Sequence, residues 1–410
     1  MYRAALVALL FLSFPACGPT TGGGGVVKPQ DVAKACADAK DPNRDCDGDR
    51  LSPTQGDCND ADRDIYPNAP EICDNKDNDC NVQVDETCDN DGDGFTKLQQ
   101  DCNDGDSLVS PGALEVSDNK IDDNCDGKID EAVAACATAG SGDATDFAAA
   151  VGLCKPWLIE AQLNKESDPG AKAILTKFGK YMPRQGANFA VLSTGLATDR
   201  TDKKWVPPQP GTTFHNDAPN PLPMVNKNAC YSGPDALNVK DFVELRLTFK
   251  VPTNAKSFSF NFNFLSAEYP EFVGSQYNDK LLVLLDSKSY KGNISFDKKQ
   301  NPITVNVAFF DVCDTADICC SKDGCMSTNV CRQNSAPELD GSGFEMDDGN
   351  GNRIGGGTGW LTTTAPVTPG ETATLRFIVF DQADRYLDSL VLIDNFLWQL
   401  NPANLQTIPG

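Results

Sequence analysis

Histidine is nearly absent from this chain of 410 residues: His215 stands alone, in a stretch rich in Pro and Asn. Any histidine-based mechanism would have to rest on that residue. The sequence also lacks a Gly-x-Ser-x-Gly elbow, a His-Glu-x-x-His pair and a phosphate-binding glycine loop. The closely spaced Glu268 and Glu271 could serve a glycoside hydrolase in principle, but next to Pro270 they read as a turn or metal loop. No enzymatic activity is expected. Basic residues are scarce, with 35 Lys and Arg against 59 Asp and Glu and a net charge of −24. That balance excludes nucleic acid as a partner, because a phosphate backbone requires cations. Long apolar runs are missing too. Ala4 to Phe14 spans eleven residues, short of the roughly 20 needed to cross a bilayer.

That short run reads as an export signal. Arg3 supplies its positive end, and Ala16 precedes Cys17 in a pattern that resembles a bacterial lipoprotein signal, although Phe14 and Pro15 depart from it. The resemblance implies residues 1–16 as signal peptide, Cys17 as the lipidated residue, and 17–35, with Gly22 to Gly25, as a flexible tether. An ordinary cleaved signal with Cys17 in a disulfide is the alternative. Setting Cys17 aside leaves sixteen of the seventeen cysteines, ten from Cys36 to Cys154 and six from Cys230 to Cys331. Even sets in an exported chain imply disulfides. Gly18, where inner-membrane lipoproteins carry Asp, favours the outer membrane as the location.

The charge is concentrated. From Asp45 to Glu131 there are 26 acidic and six basic residues, a net of −20 in 87 residues. Within 36–136 lies a diverged tandem repeat, in which Asp45 and Asp57, like Asp89 and Asp101, are twelve apart. Apolar residues are sparse, so ligation and disulfides must hold the copies together. Calcium seeks six to eight oxygens, and an Asp-x-Asp-x-Asp-Gly turn aims several at one point. Asp89, Asp91, Asp93 and Gly94, with Asp101 following, fit that turn; so do Asp122, Asn124, Asp126 and Gly127, with Asp130. Asp45, Asp47 and Asp49, with Asp57, form a third string with Arg50 at the Gly position, and Asp77, Asp79 and Asn81 a fourth with Val82 there. Calcium is the expected ion; the alternative is a solvated acidic linker.

Gly56-Asp57-Cys58-Asn59-Asp60, Tyr66 to Glu71, Cys73 to Cys80 and Asp85-Glu86 resemble the metal-binding repeats named after the copper-binding protein MopE. Copper itself suits imidazole, thiolate or thioether donors, and this chain has one His and five Met. Ser117 replaces Cys73 in the second copy, so Cys125 is free to pair with Cys136 instead.

Beyond Asp143 the pattern changes. Apolar spacing over 143–181 predicts two short helices divided near Asp168-Pro169-Gly170. Val243 to Phe249 and Phe258 to Phe264 then alternate, predicting strands with one face buried and one wet, while Leu281 to Leu285 and Leu375 to Phe380 read as strands covered on both sides. The fold class expected is mainly β: an antiparallel, jelly-roll-like β-sandwich with short N-terminal helices, preceded by the disulfide-rich calcium-loop module. Residues 201–234 and 311–358 read as long loops, and Cys313 to Cys331 as a disulfide knot, with a zinc site as the alternative.

Asp146-Phe147, Leu192 to Gly195, Phe264 to Val273, Asn278-Asp279 and Asp388 to Asn395 resemble, in order, the choice-of-anchor L domain over about 143–401. The resemblance implies an extracellular sandwich carried by varied anchors, with no agreed catalysis. Glu268, Glu271, Asn278 and Asp279, with Asp381, Asp384 and Asp388, are loop acids that could converge on a further calcium; turn chemistry with solvation is the alternative. The chain is thus expected to be a lipid-anchored surface protein, membrane-bound through Cys17, that binds calcium and presents its sandwich to a glycan or protein partner. A scaffold lipoprotein of an envelope complex is the alternative.

Overall fold

The computed structural model describes residues 42–132, 135–164, 167–214, 217, 239–269, 272, 277, 279–305, 336–347, 353–382 and 384–410. Cys17 and the tether, His215, Glu271, Asn278, Cys230 and the Cys313–Cys331 run lie outside these residues. The chain falls into two compact units, one ending at Cys88 and the other running from Asp89. The second repeat therefore belongs with the sandwich.

Helix α1, Ala144–Val151, opens that larger unit's β-rich part. Asp143 caps it by accepting from the amides of Thr145 and Asp146, and Gly152, at φ +104°, closes it. Phe147, Ala148, Ala150 and Val151 face the core. Of the two helices expected, the first stops at Val151 and the second is not formed. The later residues of the first make strand β1 (Leu158–Leu163), and those of the second make strand β2 (Lys172–Leu175). β1 pairs with one strand edge, at residues 245–249, and β2 with another, at 189–192. Pairing with those edges overrides helical spacing.

The remaining strands are β3 (Phe189–Ser193), β4 (Val239–Lys250), β5 (Ser257–Ser266), β6 (Lys280–Asp286), β7 (Lys291–Asn293), β8 (Ile303–Thr304), β9 (Met346–Asp347), β10 (Arg353–Ile354), β11 (Gly356–Gly357), β12 (Leu361–Pro366), β13 (Thr372–Gln382), β14 (Ser389–Gln399) and β15 (Gln406–Pro409), with a short helix α2 at Ala336–Leu339. They form two antiparallel sheets. One runs β1-β4-β13-β6-β7 with β8 on β6, and the other β15-β12-β5-β14-β3-β2 with β11 on β5; β9 and β10 pair separately.

The inward residues of both sheets share one core. Phe258, Phe260, Phe262 and Phe264 are all fully buried along β5, each contributing about 2 kcal/mol. Phe260 meets Phe377 of the opposite sheet edge-on at 5.1 Å. The continuous apolar runs of β6 and β13 are covered on both faces as expected, since Leu282, Leu284, Ile378 and Phe380 join a second cluster with Phe242.

The wet face expected for β5 is not wet. Ser259, Asn261 and Asn263 are buried, and, for the first two, polar side chains of the flanking strands β12 and β14 replace water. Asn261 donates to Thr362 Oγ1 at 2.7 Å and accepts from Asn395 at 2.6 Å. Ser259 accepts from Gln399 at 3.1 Å.

The second repeat seats on the turn between β4 and β5. Thr253 donates its amide to Gly112 O at 2.9 Å, and its hydroxyl lies 2.8 Å from that of Ser110. Asn254 accepts from the Leu114 amide at 2.9 Å and donates to the Leu114 carbonyl at 2.8 Å. Leu114 itself enters the main core. Gly112 is required here: a β-carbon would lie 2.6 Å from the Phe95 ring.

Candidate metal centre

The four acidic strings fold into closely matched loops. In each, the first Asp accepts through Oδ2 from the amide five residues on: Asp45 from Arg50 at 3.0 Å, Asp77 from Val82 at 2.8 Å, and Asp89 and Asp122 from Gly94 and Gly127 at 2.9 Å. The donor residue takes a left-handed backbone every time, at φ +86° (Arg50), +76° (Val82), +95° (Gly94) and +87° (Gly127). Arg50 and Val82 therefore keep the turn that Gly makes easily elsewhere, against a steric cost.

The strings come in two kinds. Those starting at Asp45 and Asp89 place Gly48 and Gly92 at their fourth position; those starting at Asp77 and Asp122 place Cys80 and Cys125 there, also with positive φ. Each repeat holds one loop of each kind. A disulfide ties the two together: Cys58 with Cys80, and Cys102 with Cys125. Because Asp57 and Asp101 immediately precede Cys58 and Cys102, the bridge also fixes where these acids stand. Cys125 thus pairs within its own repeat, and Cys136 pairs with Cys154. This corrects the alternative of Cys125 with Cys136: the inner bridge of the first repeat survives in the second, whereas the Cys73–Cys88 bridge has no counterpart there.

The loops starting at Asp45 and Asp89 share a division of labour among their carboxylate oxygens. Asp47, Asp49 and Asp57 each use Oδ1 to accept a backbone amide, from Asp49, Leu51 and Asn59 at 3.1, 2.7 and 2.8 Å. Asp91, Asp93 and Asp101 do the same with Asp93, Phe95 and Asn103 at 3.2, 2.9 and 2.8 Å. In all six the other oxygen is buried and has no hydrogen-bond partner. Oxygens of Asp45, Asp47 and Asp49 lie within 4.8 Å of one another, as do those of Asp89, Asp91 and Asp93. Burial, then the charges of neighbouring carboxylates, outweigh the amide bonds and raise the carboxyls of Asp47, Asp57, Asp91 and Asp101. A buried anion whose oxygen faces other anions is costly unless a cation joins them.

The other two loops are less open. Asp79 spends both oxygens on Asn81, and Asp126 pairs with Lys128 at 2.6 Å. Asn124 accepts from the Asp126 amide, and Asn81 donates to Glu86. Asp130 turns away to accept from the Lys120 amide at 3.0 Å. The buried, unpaired oxygens in these loops are Oε2 of Glu86 and of Glu131. Glu71 shares a cluster with Asp77 and Asp79. It also ties its repeat internally, accepting from the amides of Asn78, Asp79 and Asp85; Glu115 does so from Asp123, Asn124 and Asp130. Sequence reasoning missed these glutamates as site residues. The available signal was register, since Glu71 and Glu115 each follow a Pro by four residues and Glu86 and Glu131 each follow their loop's first Asp by nine.

Two family models match the chain. Residues 186–396 match the choice-of-anchor L domain, and residues 57–86 and 101–131 each match the metal-binding motif named for MopE. No curated protein matches. The first match takes in just over half of the chain, which belongs to the choice-of-anchor L family. It is a surface-associated protein carrying a metal-binding module.

Proposed function

We propose that this choice-of-anchor L protein is a calcium-stiffened surface lipoprotein whose sandwich is presented to a glycan or protein ligand. The observation that carries the calcium reading is the set of six aspartates with one oxygen fixed by an amide and the other buried and unpaired. Every donor in these loops is a hard oxygen, which suits calcium and not copper. Disulfides reinforce the same region, as an exported protein requires. Cys17 would carry the lipid, with the outer membrane as its location. Attachment and presentation need no catalytic group, so the role is binding rather than catalysis.

Calorimetric titration of the chelated full-length protein tests the metal reading. Calcium should bind tightly at the Asp45 and Asp89 loops, and the replacements Asp49→Asn and Asp93→Asn together should abolish that phase. An unchanged number of tightly bound calcium ions in the doubly replaced chain would end it. Protease shaving of intact cells tests presentation, because a fully protected chain is incompatible with a surface ligand. Labelling with a radioactive fatty acid, lost in Cys17→Ser, tests the anchor.

A further inference from the structure

A second group of acids has no part in the repeats. At one end of the sandwich, Glu268 follows β5, Asp279 precedes β6, Asp381 sits near the end of β13 and Asp388 precedes β14. None is more than 4% exposed. Strand alternation accounts for the placement. Asp279 and Asp381 continue the inward rows of Leu281 and Val283 and of Phe377 and Val379. Lys280, equally buried, falls on the other face, in the row of Leu282 and Leu284.

Asp279 ties the group together. Its amide donates to Glu268 Oε2 at 3.0 Å, its Oδ1 accepts from the Gln382 amide at 3.2 Å, and its Oδ2 accepts from the Ser389 hydroxyl at 2.7 Å. Asp388 accepts from the Thr212 amide at 2.9 Å. Gly195 and Gly211 make room for it, since a β-carbon at Gly195 would lie 1.8 Å from its carboxylate oxygen.

Asp381 differs from its neighbours. Both of its oxygens are buried and neither accepts a well-formed hydrogen bond. Asp279 is the strongest charge acting on it, and the Thr194 hydroxyl close by is already engaged with the carbonyl and amide of Ser389. The Arg385 guanidinium is held by Asp217 at 2.6 Å and lies 3.7 Å from Asp241. Anions so enclosed must share protons or surround a cation.

We propose that Asp381 and Asp279 are ligands of a divalent cation buried in the sandwich, with Glu268 adding charge beside them. Their donors are all carboxylate oxygens, which suit a hard divalent cation, and calcium is the probe that tests them. This site does not depend on the repeat loops being metal sites. It would pin the ends of β5, β6, β13 and β14 to one another, and so hold the loops at that end of the sandwich.

The test uses the full-length chain in two forms, one of them with Asp47, Asp49, Asp77, Asp79, Asp91, Asp93, Asp122 and Asp126 replaced by Asn. Both are loaded with calcium, desalted and weighed by native mass spectrometry alongside elemental analysis. The repeat-deficient chain should retain one calcium, and adding Asp381→Asn should remove it. A retained ion that persists in Asp381→Asn overturns the proposal, as does a repeat-deficient chain without calcium. Should Asp381→Asn not fold, melting of the repeat-deficient chain in calcium and in chelator replaces it. A midpoint raised by calcium supports the site, and an identical midpoint overturns it in favour of shared protons. The wild-type stoichiometry reports separately on the repeats, so either reading can fail alone.

Discussion

Replacing Asn254 by Ala should detach the second repeat from the sandwich. Asn254 is 1% exposed and makes the pair of hydrogen bonds to the Leu114 amide and carbonyl, with a longer one to Leu108 O at 3.4 Å. Leu114 is itself buried in the core, so truncation leaves a donor and an acceptor without water to replace the lost partner. Two net hydrogen bonds at about 1 kcal/mol each, and a desolvation cost of about 1 kcal/mol for the stranded amide, give about 3 kcal/mol. Urea unfolding at saturating calcium measures this on the sandwich transition. The same variant should bind calcium more weakly at the Asp89 loop, because binding there would no longer be supported by the Gly112–Leu114 seat. Asn254→Asp keeps an acceptor for the Leu114 amide but loses the donor to its carbonyl, and should fall between. A loss under about 0.5 kcal/mol in Asn254→Ala, with calcium affinity unchanged, would refute the idea that this side chain joins repeat to sandwich.

Three further outcomes are expected. Val82 is a β-branched residue at φ +76° and 91% exposed, so Val82→Gly should stabilise the first repeat by about 1 kcal/mol in chemical denaturation, whereas Gly94→Val should cost about as much. Removing the Cys102–Cys125 bridge, which closes a separation of 23 residues, as Cys102→Ser with Cys125→Ser should cost about 3 kcal/mol and weaken calcium binding at Asp101. Denaturation and calorimetry read the two effects separately. Glu244 is buried, which favours its neutral form, but Arg376 at 2.7 and 2.9 Å and Arg246 at 2.9 Å hold its carboxyl below the ordinary 4.5. Its contribution is therefore complete above that value and is lost as pH falls through the lower folded one; Glu244→Gln should flatten the acid side of a stability–pH curve and leave no such loss.

What could be read from the sequence follows the physics of each segment. Period-two and continuous apolar runs identified β4, β5, β6 and β13, because a strand's alternation is local. The outer face of β5 was misjudged since Asn261 and Ser259 look wet until Thr362, Asn395 and Gln399 are brought beside them by distant parts of the chain. The 158–175 segment was misjudged for a similar reason: what makes Leu158–Leu163 a strand is the edge of β4, some 80 residues away. In the repeats, the turn that opens each acidic string was legible, since the spacing of its aspartates is local. The buried, unpaired oxygens of Glu86 and Glu131 were not, because Asp85 and Asp130 next to them look equally suitable in sequence. Only the fold reveals that Asp85 accepts from the amides of Asp74 and Asn75, while Glu86 keeps a buried oxygen unpaired.

The division of each carboxylate into an oxygen held by an amide and one left unpaired bears on how calcium would act. The amide bonds and the disulfides already define the loop, with the left-handed turn built into Arg50, Val82, Gly94 and Gly127. An ion added to such a loop changes its energy more than its shape, by cancelling repulsion among oxygens that the backbone has placed together. Charge, rather than disorder, is then the cost of the metal-free state. Chelation of the full chain should accordingly lower the melting midpoint steeply at low ionic strength and less at high salt, where free ions screen the exposed part of the same repulsion. Amide exchange at Gly94 and Phe95, whose amides are given to Asp89 and Asp93, should accelerate only modestly on chelation. Complete loss of protection at those two amides, with the disulfides intact, would mean that the ion builds the loop instead of settling into it.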